Sequence, residues 1–371
     1  MKKLKLFLAA AVLLALAAPA FSSGSKAGGA APDKGKKLIL SVYTTTDAWK
    51  APYDKVASAI EGEYGIGVDV VRLPDEQMNP LINVKLTTND PPDLFIKNTP
   101  QDIPLFNATQ TCIPLDTQSW VSRLSSPGVV KFSGDGKIYG MPVQDSASFF
   151  GGVYYNKDIM DKIGIKDPAP KTYGEFLDIC ERVKKTGYTP IWLTSKDLWC
   201  VQVWSTMGWA VAMADRAPGI YDEFLTNKKR FTDVPELVTL LQQYRDLITA
   251  GYVNEDHMSQ PYDAAANAIG EGKGVMIIQG EWFANVMQSM YPNIQMGSFG
   301  IPFLDKDLIA GGAYVPAYHV PKAGKNVETA LKYIDIWSQP KFQNMIFKET
   351  PGFPAFKDVD GGEALPSVRN L

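Results

Sequence analysis

"KLILSVYTTTDAWKAPYDKVASAIEGEYGIGVDVVRLPDEQMNPLINVKLTTNDPPDLFIK", residues 37–97, carries the alternation that decides the fold. "KLILSVYTTT" is β-branched and largely apolar, the composition of a strand buried on both faces. "PYDKVASAIEGEYG" has helical spacing, with Val56, Ala59, Ile60 and Tyr64 on one side. "IGVDVVRL" is a second strand, "EQMNPLINVKLTT" a helix and "PDLFIK" a third strand. Strands alternating with helices predict a parallel α/β sheet.

Towards the C-terminus the alternation breaks twice. At 134–158, "GDGKIYGMPVQDSASFFGGVYYNKD" runs a polar turn and Tyr-Gly-Met-Pro into an aromatic strand. Helical segments follow at 172–186, 198–214, 235–250, 261–272 and 281–290. At 297–320, "GSFGIPFLDKDLIAGGAYVPAYHV" is strand-like and rich in Gly and Pro, and the helix "NVETALKYIDIWSQP" comes after it. The expected architecture is α/β in two lobes, with one large α/β domain as the alternative. Extended crossings join them near 141–150 and 296–305, with a third after residue 339. The first lobe takes 37–143 and 305–340, the second 148–300 and 341–371. No fixed-period repeat is visible.

Towards the N-terminus, "MKKLK" is a basic start and "LFLAAAVLLALAA" an apolar run too short to span a bilayer. "APA" at 18–20 has the small-x-small form of a signal-peptidase site, so cleavage is expected after Ala20. Residues 21–36, "FSSGSKAGGAAPDKGK", read as a flexible leader.

With 371 residues the chain is long enough for two domains and a large core. Its net charge of −3 offers no basic field for nucleic acid. Two histidines, His257 and His319, leave little for a catalytic triad or a His-ligated metal. Three cysteines without CxxC spacing predict buried thiols ahead of a Cys180–Cys200 bridge. Tyr154-Tyr155 has the form of a ferric-ion pair, but adjacent strand residues point to opposite faces, so no metal or cofactor is expected.

Gly270, Gly272 and Gly274 precede a strand, and Lys273 is followed by glycine rather than Ser or Thr. That order is the reverse of a dinucleotide loop and lacks the P-loop hydroxyl, so these glycines end a helix and turn the chain. Gly280-Glu281-Trp282 is different, because open α/β sheets bind ligands at the carboxyl ends of their strands. Trp282 either offers a flat face to a ligand or packs its helix with Val286 and Met290; spacing leaves both open. The first strand ends in Thr46, Asp47 and Trp49, where Asp47 serves as a ligand acceptor or a helix cap. Lys97 and Asn98 end the third strand, Lys97 being a cleft group or a solvated loop charge. Gln144, Asp145 and Ser146 fall at the first crossing. Asp197 and Trp199 open a helix, in which Trp204 or Trp209 reads as core. Gly312 and Tyr314, in the second Gly/Pro-rich stretch, join the candidate set. Aromatic platforms beside neutral and acidic hydrogen-bonding groups suit polyhydroxyl ligands, and suit binding more than catalysis.

In order, "PPDLF" (91–95), "DGKIYGMPV" (135–143), "VYYNKDIMDKIGI" (153–165), "KTYGEFLDICERVK" (171–184), "GYTPIWL" (187–193), "GKGVMIIQGEW" (272–282) and "NVETALKYIDIWSQPKFQ" (326–343) resemble the bacterial extracellular solute-binding proteins of family 1. These are maltose-binding-protein-like sugar receptors of ABC importers. The resemblance runs from about residue 37 to about residue 356. It implies the two-lobe periplasmic-binding-protein (Venus-flytrap) fold, no catalytic role, and a monomer that hands a sugar to a transmembrane permease. It assigns sugar stacking to Trp282 and supports Asp47, Trp49, Asp145, Ser146, Asp197 and Trp199. Lys97 stands where some relatives carry an aromatic residue. Two departures carry expectations: without a lipobox cysteine the protein is free in the periplasm, and a chain ending soon after "TPGFPAFKDVD" has an incomplete second lobe. The alternative ligands are a polyamine or peptide, and the remoter alternative is a secreted carbohydrate-active enzyme.

Overall fold

The computed structural model describes residues 38–45, 50–145, 151–216, 219–309 and 315–371. Strand β1 (Leu38–Thr45) leads through helix α1 (Ala51–Tyr64) to β2 (Ile66–Leu73), and through α2 (Asp75–Thr87) to β3 (Leu94–Thr99). Both β2 and β3 pair with β1 in parallel, as the alternation predicts. A short α3 (Ala108–Thr111) follows, then β4 (Met141–Pro142). The second sheet is built from β5 (Gly151–Asn156), β6 (Thr189–Ile191), β7 (Gly274–Gly280) and β8 (Met296–Phe299). Its helices are α4 (Lys157–Lys162), α5 (Tyr173–Lys185), α6 (Leu198–Met213), α7 (Gly219–Leu225), α8 (Pro235–Thr249), α9 (Ala265–Gly270) and α10 (Trp282–Met290). The chain then returns to the first sheet as β9 (Val315–His319), followed by α11 (Val327–Trp337), α12 (Pro340–Glu349) and a last turn, α13 (Pro366–Arg369).

The strand orders are β2-β1-β3-β9-β4 and β6-β7-β5-β8. Both are mixed sheets, because β9 runs antiparallel to β3, and β5 runs antiparallel to β7 and β8. Each sheet has a core on both faces, which makes two lobes. In the first, Leu40, Val42 and Ile96 pack under α1, α11 and α12 around Trp120 and Trp337. Its other face packs Phe95 against Met78, Ile82 and Leu86 of α2. In the second, β5 separates two cores: Tyr155 packs with Phe176 and Val183, and Tyr154 with Ile269 and Phe283. Both tyrosines are therefore core residues on opposite faces.

Three sequence expectations need correction. The start of β1 is not covered on both faces, and Ile39 is 50% exposed. The helix α2 reaches only the later part of that face, where Tyr43 packs. Residues 296–299 are not a crossing but the strand β8, so the second crossing lies beyond Phe299. Helix α12 packs in the first lobe rather than the second: Phe342 and Ile346 enter its core, and Lys341 pairs with Glu63 of α1. Beyond α12, Phe353 and the end of the chain, with Val368 and Leu371, reach the second-lobe core. The three cysteines are free thiols, two of them buried. No helix among the described residues is long and apolar enough to cross a membrane.

The crossings lie side by side. Val143 N–H donates to Pro316 O (3.1 Å), and Asp145 N–H donates to Phe353 O (2.8 Å). A third passage between lobes thus runs near residue 353, since Phe353 packs on the second core and Phe356 sits in the first.

Candidate functional site

A cleft of about 890 Å³ opens between the two sheets. Its first-lobe wall includes Thr45, Lys50, Asn79, Lys97, Asn98 and Gln144. Its second-lobe wall includes Trp199, Tyr262, Asp263, Trp282 and Asn285. The walls differ in chemistry, one carrying amides and ammonium groups and the other mainly rings.

The aromatic wall follows from the end of β7 and the start of α6. The strand β7 ends at Gly280, and Trp282 opens α10 two residues later. A Cβ on Gly280 would stand 2.0 Å from the Trp282 ring, so only glycine lets the indole fold back over the strand end. In α10 the core stripe is Phe283, Ala284 and Met287. The adjoining stripe, Trp282, Val286 and Met290, lines the cleft. The spacing that reads equally well as core packing is therefore the cleft face of this helix. Trp199 stands at the start of α6, its ring centroid 6.1 Å from that of Trp282 and 4.6 Å from that of Tyr262. Trp204, one turn deeper, is core, and its indole N–H donates to Leu240 O (3.0 Å).

The polar wall is built at the end of β3. Lys97 is buried, with its ammonium 3.8 Å from the Asp102 carboxylate, so it is not a solvated loop charge. The Asn98 backbone N–H also donates to Asp102 (3.1 Å). Burial pushes the Lys50 ammonium below its ordinary range, partly offset by the negative charge of Glu281 from the opposite lobe.

Lys97, Asn98, Gln144, Trp199 and Trp282 thus come together on the cleft. Asp145, Asp197 and Glu281 are not among its lining residues. Asp197 stands behind the aromatic wall, where its carboxylate accepts the Tyr262 backbone N–H (2.7 Å) and sets the loop that carries that ring. Asp145 meets the third passage through its own N–H. Glu281 is buried at the strand end; burial raises the Tyr154 hydroxyl well above its ordinary range, and the Glu281 charge adds to this. Thr46, Asp47, Trp49, Ser146, Gly312 and Tyr314 lie outside the described residues.

Sequence reasoning missed Tyr262, Asp263, Asn285, Asn79 and Lys50. Tyr262 and Asp263 were hidden inside a helix expected over 261–272. The chain there makes a separate 3-10 turn, Tyr262–Ala264, before α9. The proline at 261 was the available signal, since it favours an extended entry just before a helix.

Comparison with known proteins bears on this architecture. A family profile described as bacterial extracellular solute-binding protein matches residues 55–367. An uncharacterised ABC transporter extracellular-binding protein of Pyrococcus horikoshii is 22% identical over 371 residues, spanning 96% of this chain and 80% of that protein. The melibiose/raffinose/stachyose-binding protein of Bacillus subtilis is 22% identical over 331 residues, spanning 85% and 74% of the two chains. Among solved structures, a solute-binding protein in complex with raffinose superposes with a TM-score of 0.72 at 18% identity, covering 89% of this chain and 85% of that one. A chitin oligosaccharide binding protein gives a TM-score of 0.72 at 22% identity, covering 91% and 86%. At these identities the structures speak for the fold.

Proposed function

The chain belongs to the bacterial extracellular solute-binding proteins, and from that premise we propose that its cleft captures a sugar or oligosaccharide for delivery to an ABC-importer permease. The observation that carries this reading is the asymmetry of the cleft. Trp199, Tyr262 and Trp282 form one wall, and amide and charged side chains face them from the other lobe. Sugar rings have apolar C–H faces that stack on aromatics and rims of hydroxyls that pair with polar groups. A volume of about 890 Å³ exceeds what one sugar ring needs and suits an oligosaccharide. Binding relatives that carry sugars in their names add support.

The protein acts in this reading as a monomeric receptor without catalytic turnover, metal or cofactor. The basic, apolar and small-residue order of residues 1–20 supports export to the periplasm. Closure of the two lobes on the ligand gives both walls contact at once.

A thermal-shift screen tests the ligand class, using melibiose, raffinose, stachyose and chitin oligosaccharides beside spermidine and a short peptide. A sugar is expected to raise the melting temperature by mass action. Its affinity should barely change with ionic strength, and product analysis should find the sugar intact. A shift from spermidine alone, weakening steeply with salt, would establish the polyamine alternative. Release of shorter sugars would make the protein an enzyme.

A further inference from the structure

Helix α2 presents Met78, Ile82 and Leu86 to the core against Phe95. Asn79 comes immediately after Met78, on the flank of that stripe, and lines the cleft. Its carboxamide oxygen is buried and meets no hydrogen-bond donor among the described residues. Three neighbouring groups already have partners. Lys97 pairs with Asp102, the Asn98 N–H donates to the same carboxylate, and the Asn285 amide donates to Pro351 O (3.0 Å). A buried acceptor left unmatched is destabilising, and such a cost persists where a ligand removes it.

We propose that Asn79 is a specificity-determining residue of the cleft: as the lobes close on a bound sugar its carboxamide turns, and the oxygen, shut off from water in the ligand-free form, accepts a hydrogen bond from a free hydroxyl of that sugar. A sugar that is deoxy or O-methylated at that position leaves the acceptor unmatched and binds weakly. This rests on the sugar-binding reading above and adds to it the group the ligand must carry. The donor is a hydroxyl rather than an ammonium. On the same wall Asp102 matches the charge of Lys97, which leaves the Lys50 ammonium to oppose a cation brought to Asn79. The selectivity is of the kind in which a site built for a hydroxyl rejects its analogue strongly, because a buried polar group then stays unpaired.

Asn79→Leu tests this, because leucine keeps the branched shape without polar atoms. In the ligand-free full chain the variant is expected to melt about 2 °C above the wild type, because it removes an unmatched buried acceptor. With raffinose and stachyose as probes, its affinity should fall at least about tenfold. Asn79→Asp, which keeps an acceptor oxygen in place, should retain most of the binding. The proposal is overturned if ligand-free Asn79→Leu melts at or below the wild-type temperature, because the carboxamide then has a partner in the fold. Equal affinity of wild type and Asn79→Leu for either sugar overturns it as well. The ligand-free melt decides on Asn79 even where neither sugar binds the wild type, so failure of the sugar reading shows separately.

Discussion

Replacing Trp282 with alanine is expected to weaken sugar binding by about 1–3 kcal/mol while leaving the fold intact. Gly280 sets the position of the ring. Because that residue has no Cβ, the indole lies back over the end of β7 and stays half-buried instead of projecting into solvent. It is supported on one side by Trp199, at 6.1 Å, and Trp199 in turn by Tyr262, at 4.6 Å. A ring backed by the strand end and braced by Trp199 loses little freedom when a ligand stacks on it, so most of the contact appears as affinity. Helix α10 keeps Phe283, Ala284 and Met287 in the core without Trp282, which is why stability should survive. Calorimetry with the best sugar of the thermal-shift screen measures the loss. Unchanged affinity would make Trp282 a packing residue and remove the aromatic wall from the site.

Acid should destabilise the protein through His319, by about 3 kcal/mol in all between neutral pH and pH 4. The ring is fully buried in β9 and stacks on Phe95 at a centroid distance of 5.0 Å. Its Nδ1 lies 2.9 Å from Tyr139 O and its Nε2 3.1 Å from Lys97 O. Burial pushes the imidazole down to about 4 and the nearby Lys97 charge adds to this, while the two carbonyls pull the other way. With the folded value below the ordinary histidine value of about 6.5, the unfolded chain takes up the proton first as pH falls. The stabilisation is complete at neutral pH and is lost as pH falls from about 6.5 towards about 4. Between pH 7 and 5.5, where exposed carboxylates stay ionised, the wild type should lose about 1 kcal/mol more than His319→Gln. Urea denaturation at the two pH values reads this directly. A neutral imidazole can donate to only one of the two carbonyls. If their joint pull outweighed burial, the slope would reverse and the wild type would gain stability on acidification relative to the variant.

What was legible in the sequence follows a physical divide. The opening strands and helices were read to within a residue or two because each buries a face, and burial writes a period into the chain. The strand "IGVDVVRL" is β2 residue for residue. Residues 296–299 were misread because Gly297 and Gly300 mark a passage between elements as well as they mark a strand crossed closely by another ring. Gly297 is the second case: a Cβ there would meet Tyr155 at 2.1 Å. Helix α12 was misplaced because its core stripe, Phe342 and Ile346, carries no mark of which lobe it covers. At the site, glycine before Trp282 was informative, since only a close approach requires it. Asp197 misled, because a carboxylate beside a tryptophan at a strand end looks the same whether it meets ligand or braces the Tyr262 loop from behind. Asn79 was invisible, since nothing in "EQMNPLINVKLTT" tells a cleft-facing amide from a solvated one.

The central claim is that one sugar is held between both lobes, which move together around it. Small-angle scattering of the full chain, with and without the sugar selected by the screen, tests this most directly. The connections between lobes lie side by side near residues 143–145, 316 and 353, so rotation about them changes overall shape without changing secondary structure. The radius of gyration should fall when sugar binds, with an unchanged circular dichroism spectrum. A sugar that binds tightly and leaves the radius of gyration unchanged would contradict the account, because one wall alone would then hold it.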